Sequence, residues 1–523
     1  NAPWHLDSAF LRPGRFDRIV FVPPPDQAAR SAIVDIMKQG RPAEGVDADA
    51  LAARTKDFSG ADLKSVFDQA VEIALAEAMK SGSIVPVDQK KLTKAMSDVP
   101  SEAKMRRGQL LRRQGRLDDA ESFFNQAIAD DPQDDYAYFE LALCQMDMEG
   151  RRRESLETIE RAIALEPEYS TYHATRSMIL SVLNRAQDAV AAAETAIELD
   201  PASAFAFVAK ARAHLVQEQW SHAEQCARHA LELDADDTSA GNILAMALRF
   251  QGKVVESAGA VAQLLRDDPE DPMSHFNAGW SELQGGDHRK AEGHFLEALR
   301  LDPDFEAARE GLLESFRARS PLFRQYLRYC FFMQRFQQGA RWAIIIGAYL
   351  AFRFGSAALQ RVSSGAAIAF TFVYLSFVLW VWVAPGFGNL IVLLDRSARR
   401  ALKRTEAVEG ITVGGGLLIG GLLLLGGAAM NEMALMLAGA GFVAGAIPAS
   451  LTFTNTSRKG RILFGGVLLA TYATSLLASL VLIIAPETAL FAQLKSFTIF
   501  SFIACLLCTW LGNIEGLRRE AVQ

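Results

Sequence analysis

The sequence predicts a mainly α-helical protein with three parts: a small helical domain that follows one β-strand, a solenoid of stacked helix pairs, and a bundle of membrane-spanning helices. Three observations lead to this prediction. Apolar residues recur at helical spacing within residues 1–100, and a phrase ending in proline repeats through residues 101–320. Runs of about 20 apolar residues, enough to cross a bilayer, fill residues 321–523.

Composition narrows the classes of function. The formal net charge of -7 is spread over 523 residues, which argues against a general nucleic-acid-binding protein. The five cysteines show neither a zinc spacing nor a disulfide framework. Cys505 and Cys508 form a CxxC pair, but they lie in an apolar run. We therefore expect sulfurs that pack between helices, not a redox pair.

The first 100 residues predict one strand and then short helices. Residues 19–22 form a β-rich run that three prolines stop. Asp26 is placed to cap a helix that reaches about Lys38, and a second helical stretch is expected after Asp47. A third helix, over residues 61–80, is predicted from apolar residues at helical spacing. These are Leu63, Val66, Phe67, Ala70, Val71, Ala74 and Leu75.

Two arginines, Arg12 and Arg15, lie three residues apart in a Pro-Gly turn. A guanidinium keeps its charge and makes forked hydrogen bonds to phosphate. Held on a stiff turn, it can act as an arginine finger at a phosphoryl-transfer site. On spacing alone, a pair of surface arginines is the more common explanation.

The stretch NAPWHLDSAFLRPGRFDRIVFVPPPD, followed by FSGADL, resembles the C-terminal part of an AAA ATPase module across residues 1–98. The resemblance implies that Asn1 is the sensor-1 residue, which positions the attacking water. It implies that Arg12 and Arg15 are fingers that reach the nucleotide of a neighbouring subunit. Modules of this kind use ATP and Mg²⁺ and work as hexameric rings that remodel proteins.

The same resemblance assigns the helical lid. Gly60, Ala61 and Asp62 match the lid motif that lies against the adenine and ribose, and Ala61 fits a clade without a sensor-2 arginine. The sequence departs from the family because it contains no GxxxxGK[ST] phosphate loop and no acidic pair for Mg²⁺. Both would precede Asn1, so we expect a piece of a longer ATPase. The eight histidines contain no HExxH pair, which argues against a protease.

A repeated phrase marks the middle part of the chain. Alanines at fixed offsets allow two helices to approach closely, and a proline stops the second helix. Gly108 and Gly279 fall in the first helix of a repeat. The prolines recur at intervals of 34 or 35 residues, with Ala235 at one missing place: Pro132, Pro167, Pro201, Pro269 and Pro303.

This pattern is similar to tetratricopeptide repeats, six of them over residues 101–304, with a capping helix at 305–318. The resemblance implies a concave groove that binds a protein or peptide. The sequence shows no Lys/Asn clamp for a charged C-terminal ligand. Four aromatics could line the groove, although packing between repeats is the more common role: Tyr136, Phe139, Tyr172 and Phe205.

Six apolar segments are long enough to span a membrane, at 341–359, 364–385, 410–430, 433–452, 461–485 and 495–513. Arg353 interrupts the first, which could instead be a tilted or interfacial helix. Basic residues gather before the first span and after the second, fourth and sixth, which places both chain ends in the cytoplasm. Arg353 and Arg361 are the exceptions. The order of parts resembles bacterial membrane-anchored repeat proteins, so we expect the inner membrane.

The apolar part offers few signs of chemistry. The GAGFVAG stretch at Gly439–Gly445 lacks the strand and amphipathic helix that a dinucleotide loop needs, so we expect close helix packing there. The scarcity of charges inside the spans favours an anchor over a channel or carrier.

The sequence supports one leading hypothesis and two alternatives. The leading hypothesis is a membrane-tethered AAA-type ATPase whose repeats recruit protein partners for ATP-driven remodelling. One alternative is a membrane-anchored repeat scaffold without ATPase activity, and the other is a transporter with cytoplasmic appendages. The expected partners are proteins or peptides, neighbouring AAA subunits and the lipid bilayer, without nucleic acid. Met105 could begin a separate reading frame, so a wrong join near residue 100 also stays open.

Overall fold

The computed structural model describes residues 25–55, 58, 60–512, 514 and 517, with the backbone alone for Ala61 and residues 97–103. The strand predicted at 19–22 lies outside these residues. The described chain is almost entirely helical, which confirms the mainly α fold. It divides into two compact units between Pro201 and Ala202.

The first unit begins with a small helical domain. Its helices are α1 (Gln27–Lys38), α2 (Ala48–Arg54), α3 (Gly60–Ser81) and α4 (Gln89–Arg113). The Asp26 carboxylate accepts a hydrogen bond from the backbone N–H of Ala29, and that of Asp47 accepts one from Ala50. These two N-caps confirm the predicted helix starts.

The core of this domain is built around α3. Leu63 and Phe67 are fully buried together with Leu51 of α2 and Leu92 of α4. Leu75, predicted for the same stripe, is 59% exposed. At 3.6 residues per turn it points about 120° away from Leu63, so it misses the buried face.

Helix pairs follow in the first unit. They are formed by α4 with α5 (Leu117–Asp130), α6 (Asp135–Asp147) with α7 (Arg152–Leu165), and α8 (Ser170–Val182) with α9 (Ala186–Leu199). Helix α4 runs through residue 100 without interruption, so it is both the last helix of the small domain and the first helix of the repeats.

The second unit continues the same alternation. Its helices are α10 (Ala204–Val216), α11 (Trp220–Leu233), α12 (Thr238–Phe250), α13 (Val254–Asp267), α14 (Pro272–Gly285), α15 (His288–Leu301), α16 (Glu306–Arg317) and α17 (Pro321–Gln334). The predicted capping helix corresponds to α16.

The small residues of the repeats are required by packing. A Cβ atom on Gly108 would lie 2.5 Å from the Phe124 ring, and one on Gly279 would lie 2.7 Å from the Phe295 ring. Both aromatic side chains are fully buried. Each glycine therefore lets the second helix of its repeat approach the first.

Long apolar helices complete the second unit. They are α18 (Gln338–Val362), α19 (Ser364–Leu394), α21 (Gly416–Met430), α22 (Met433–Thr454), α23 (Arg458–Ile484) and α24 (Ala489–Leu511). The short helix α20 (Arg404–Glu409) precedes α21, and a π-helical segment (Gly410–Gly415) joins the two. With α20 and α21 taken as one, the described residues contain six helices long and apolar enough to cross a membrane, the number that the sequence predicts.

Two further predictions about these helices are confirmed. A Cβ atom on Gly441 would lie 2.0 Å from the Ser475 Oγ, and one on Gly445 would lie 2.3 Å from the Tyr472 ring, so the glycines serve close helix packing. Cys505 is buried in α24 and carries a free thiol, and its Sγ lies 3.2 Å from the Thr471 Oγ1 of α23.

Candidate functional site

Half of the predicted ATPase residues fall in the described part of the chain. Asn1, Arg12 and Arg15 lie outside it. Gly60 begins α3, and Asp62 follows in its first turn, where an acidic side chain suits the helix dipole. The Asp62 carboxylate lies 3.4 Å from the guanidinium of Arg106 on α4.

The lid motif leaves one side of its backbone open. A Cβ atom on Gly60 would meet only the Ile33 Cδ1, at 3.9 Å, which is an ordinary contact. Packing inside the described domain therefore does not require glycine at this position, and a flat group could approach the backbone there. The sequence supplies no phosphate loop that would hold the rest of ATP.

The aromatic residues predicted for a groove form a row across the first repeats. The Phe139 ring lies 5.7 Å from that of Tyr136 and 5.2 Å from that of Tyr172, and Tyr169 extends the row at 4.6 Å. Tyr172 is buried, and its hydroxyl donates to Asp135. Tyr136 and Tyr169 are 44% and 49% exposed, so part of this row is accessible at the surface. Phe205 begins the next repeat and is partly buried.

Ion pairs join the capping helix of the repeats to the apolar part of the chain. The Arg309 guanidinium of α16 donates to Glu306 on its own helix and, at 2.9 Å, to Glu406 of α20. Lys403 pairs with Glu306 at 2.8 Å. Hydrogen bonds from Arg309 and Lys403 lower the pKa of Glu306 from 4.5 to about 2. This carboxylate therefore keeps its charge, and its pairing is lost only as the pH falls below 4.5 towards that value.

A buried polar chain lies beside these pairs. The Arg317 Nε donates to the side-chain oxygen of Asn389 at 3.2 Å, and the Asn389 amide donates to Glu409 at 3.0 Å. Ser450 of α22 reaches the other Glu409 oxygen at 3.5 Å. Glu409 is only 5% exposed, so this chain of hydrogen bonds satisfies a carboxylate that burial would otherwise penalise strongly.

Sequence reasoning misses this junction. It leaves Glu409 in the loop before a span, because the predicted span begins at residue 410. The available signal is an acidic residue directly followed by a glycine-rich apolar run, TEAVEGITVGGG. The partner Arg317 lies 72 residues before Asn389, and no local pattern reveals a contact of that range.

The part of the chain that the structure describes contains no preformed metal site. No group of three or more His, Cys, Asp and Glu side chains is arranged there to hold an ion. His275 and His294 do meet, with 3.1 Å between their Nδ1 atoms.

Protein-family models match two regions of the chain. The AAA+ lid domain family matches residues 45–91. Tetratricopeptide repeat families match residues 111–179, 208–272 and 243–304.

Curated relatives match only a short stretch of the chain. A Cell division cycle protein 48 homolog from Archaeoglobus fulgidus is 42% identical over 83 residues, which are 16% of this chain and 11% of that protein. The ATP-dependent zinc metalloprotease FtsH 2 from Sphaerobacter thermophilus is 53% identical over 70 residues, 13% of this chain and 11% of the relative. The chain thus spans a small part of the relatives it matches.

Solved structures of repeat proteins also match part of the chain. A tetratricopeptide repeat protein from Thermus thermophilus covers 35% of this chain and 99% of its own, with 23% identity and a TM-score of 0.33. One from Parabacteroides merdae covers 47% of this chain and 97% of its own, with 16% identity and a TM-score of 0.37. From the family matches, the chain combines a region similar to the AAA+ lid with tetratricopeptide repeats and six candidate membrane spans.

Proposed function

We propose that this chain is a fragment of a membrane-tethered AAA-type ATPase whose repeats recruit protein partners for ATP-driven remodelling. The observation that carries the proposal is helix α4, which closes the region similar to an AAA+ lid and continues as the first helix of the repeats. Because the two parts share a helix, a movement of the lid would be transmitted directly to the partner-binding repeats. ATP with Mg²⁺ would supply the phosphoryl group in the complete protein.

Within this proposal the residues have separate roles. Arg12 and Arg15 act on the nucleotide of a neighbouring subunit, and Asn1 orients the attacking water. The lid residues Gly60, Ala61 and Asp62 lie against the nucleoside. The ion pair between Asp62 and Arg106 supports a link between nucleotide and repeats, because Arg106 belongs to the repeat end of α4.

The membrane part serves as the anchor in this proposal. Six candidate spans follow the repeats in the described part of the chain, and the basic loops support a cytoplasmic side for the repeats and both ends of the chain. The contacts from Arg309 and Arg317 hold the capping helix α16 against the ends of these helices. Recruited proteins would therefore be held close to the membrane surface.

The experiment is a pair of substitutions in the full-length protein. Arg12→Ala or Arg15→Ala should lower the rate of ATP hydrolysis by about 10³-fold or more, because an arginine finger stabilises charge in the transition state. Nucleotide binding, measured by a fluorescent ATP analogue, should stay nearly unchanged. Full ATP turnover in both variants would argue against the finger roles.

A second candidate function is a membrane-anchored scaffold without ATPase activity. It is favoured by the junction at Arg309 and Arg317, which fixes the capping helix of the repeats to the apolar helices through side chains of this chain alone. A scaffold would capture the same partners with and without ATP, whereas a remodelling ATPase would release them on hydrolysis. Partner retention measured with ATP and with a non-hydrolysable analogue separates the two.

A further inference from the structure

Part of the inner face of the repeats is covered by the chain itself. The first helices of successive repeats lie side by side, α10 on α12, α12 on α14 and α14 on α16, and form the inner layer of the solenoid. Helix α17 does not continue the alternation of inner and outer helices. It lies between α14 of the inner layer and the apolar helix α19, and it contacts both.

Helix α17 carries an apolar stripe at helical spacing. Phe323, Leu327 and Phe331 recur every four residues and are at most 7% exposed. They belong to one buried cluster with inner-layer residues such as Leu283 and with Val392 of α19, and the Phe331 ring meets the Trp280 ring edge-on at 6.3 Å. This arrangement is the way in which an amphipathic helix occupies a groove.

The opposite side of α17 remains exposed. Leu322 and Phe332 are 61% and 48% exposed, although both are as apolar as the buried stripe. Only one face of the helix is therefore buried, and Phe332 provides a matched position for a control substitution.

The segment after α17 runs back along the earlier repeats. The Arg335 side chain lies over Gly252 in the turn between α12 and α13, where a Cβ atom would come within 2.4 Å of its Cζ. The Arg341 guanidinium pairs with Glu218, in the turn between α10 and α11, at 2.8 Å. Its Nε also donates to the Phe336 carbonyl at 2.8 Å.

Glu218 occupies a strained position. Its φ is 58°, in the left-handed region that disfavours residues with a Cβ atom. The equivalent turn position is glycine in four other repeats and asparagine in the remaining one: Gly115, Gly150, Gly252, Gly286 and Asn184. A glutamate at this position costs backbone free energy that its ion pair with Arg341 offsets.

We propose that the inner face of repeats four to six is a docking surface for an amphipathic helix, and that α17 with residues 335–341 is its built-in ligand. The surface fits a helix with Phe or Leu at positions i, i+4 and i+8, followed about ten residues later by an arginine that pairs with Glu218. A protein partner with this pattern competes with α17. The inference rests on the proposed role of the repeats as a partner-binding part.

The experiment supplies the ligand in trans. The full chain is placed in lipid nanodiscs, and the probe is a fluorescent peptide of residues 320–341. The variant Leu327→Ser/Phe331→Ser empties the surface and should bind the peptide about tenfold or more tightly than the wild-type chain, whose own α17 competes. The chain with Phe332→Ser should behave as wild type, and the peptide carrying the same two serines should not bind. Equal binding to wild type, double variant and empty nanodiscs would overturn the proposal.

Charge reversal tests the ion pair between Arg341 and Glu218. Peptide with Arg341→Glu should bind the double variant several-fold more weakly, and Glu218→Lys in the chain should restore its affinity. A peptide that binds equally well in all combinations contradicts the role of Glu218. These measurements involve no ATP, so they can fail while the proposed ATPase function stands.

A second measurement covers the case in which the double variant does not fold. Glu218→Gly removes the strain and the carboxylate together, so it should stabilise the turn between α10 and α11. It should nevertheless speed tryptic cleavage after Arg335 and Arg341 several-fold, because residues 335–341 lose their anchor. Cleavage at the wild-type rate would show that Glu218 does not anchor residues 335–341 and would overturn the proposal.

Discussion

At the scale of single residues, the glycines of the repeats allow a sharp comparison. Gly279→Ala places a Cβ atom 2.7 Å from the buried Phe295 ring, so the helix pair α14 and α15 must separate or Phe295 must leave its rotamer. We expect a loss of about 1–3 kcal/mol in local stability. Hydrogen exchange of the α14 and α15 amides in the full chain measures it.

The control lies on the neighbouring helix. Gly293 belongs to α15, is exposed, and has no atom within 4 Å of an added Cβ. Gly293→Ala should therefore stabilise α15 by about 1 kcal/mol, because alanine is the better helix former. The same glycine-to-alanine substitution is thus expected to lower stability at Gly279 and to raise it at Gly293. A loss of stability in both variants would contradict the packing argument.

The pair of histidines in the same repeat predicts a pH dependence. Burial, and then the neighbouring His275, lowers the pKa of His294 below its usual 6.5. The neutral form is thus favoured in the folded state. Its stabilising contribution is complete above pH 6.5 and is lost as the pH falls through the lowered pKa.

We therefore expect the thermal midpoint of the chain to drop on acidification from about pH 7.5 to about pH 5.5, across the ordinary pKa of histidine. His294→Gln should reduce this drop because the replacement does not titrate. The measurement is a melting curve at each pH for both chains, and an equal drop in both would locate the pH dependence elsewhere.

At the scale of elements, Arg309 is the contact that fixes α16 to α20. Its guanidinium and the Glu406 carboxylate are 18% and 20% exposed, so solvent screens the pair only in part. Arg309→Gln leaves Glu406 without its cation and should raise hydrogen exchange in α16, a loss of about 1–3 kcal/mol.

Arg300 offers a matched control for this change. It pairs with Glu297 within α15 and is 60% exposed. Arg300→Gln should change stability by less than about 0.5 kcal/mol, since exposed ion pairs contribute little. If Arg309→Gln proved equally mild, the junction would not depend on this pair.

Helix starts, repeat packing and the number of spans could be predicted because each depends on local pattern. Asp26 and Asp47 cap the helices that follow them, and Gly108 and Gly279 sit where helix pairs touch. The course of α17 could not be predicted in this way. Its sequence is apolar and basic, which suits a helix on the membrane surface as well as one packed on the repeats. Its position is determined by contacts with residues distant in sequence, such as Trp280.

The predicted site shows the same limit. The lid motif at Gly60 is recognisable as a motif, but the ion pair from Asp62 to Arg106 joins residues 44 apart in sequence. Sequence pattern overlooks the buried Glu409 because hydropathy counts an acidic residue as the end of a span. Its burial depends on Asn389 and Ser450, which come from two other helices.

At the scale of the whole molecule, the arrangement across the membrane is a prediction of charge placement. Basic loops after the second and fourth spans lie on the cytoplasmic side, and the turns at Glu432 and Glu487 lie outside. In intact cells, Glu432→Cys and Glu487→Cys should react with a membrane-impermeant maleimide, whereas Arg396→Cys should react only after the membrane is opened. The parent chain serves as the control, because its cysteines are buried or partly buried. Labelling of Arg396→Cys in intact cells would show that the chain has the opposite orientation in the membrane. The repeats, which contact the same ends of the apolar helices through Arg309 and Arg317, would then lie outside, where no ATP-driven partner recruitment could operate.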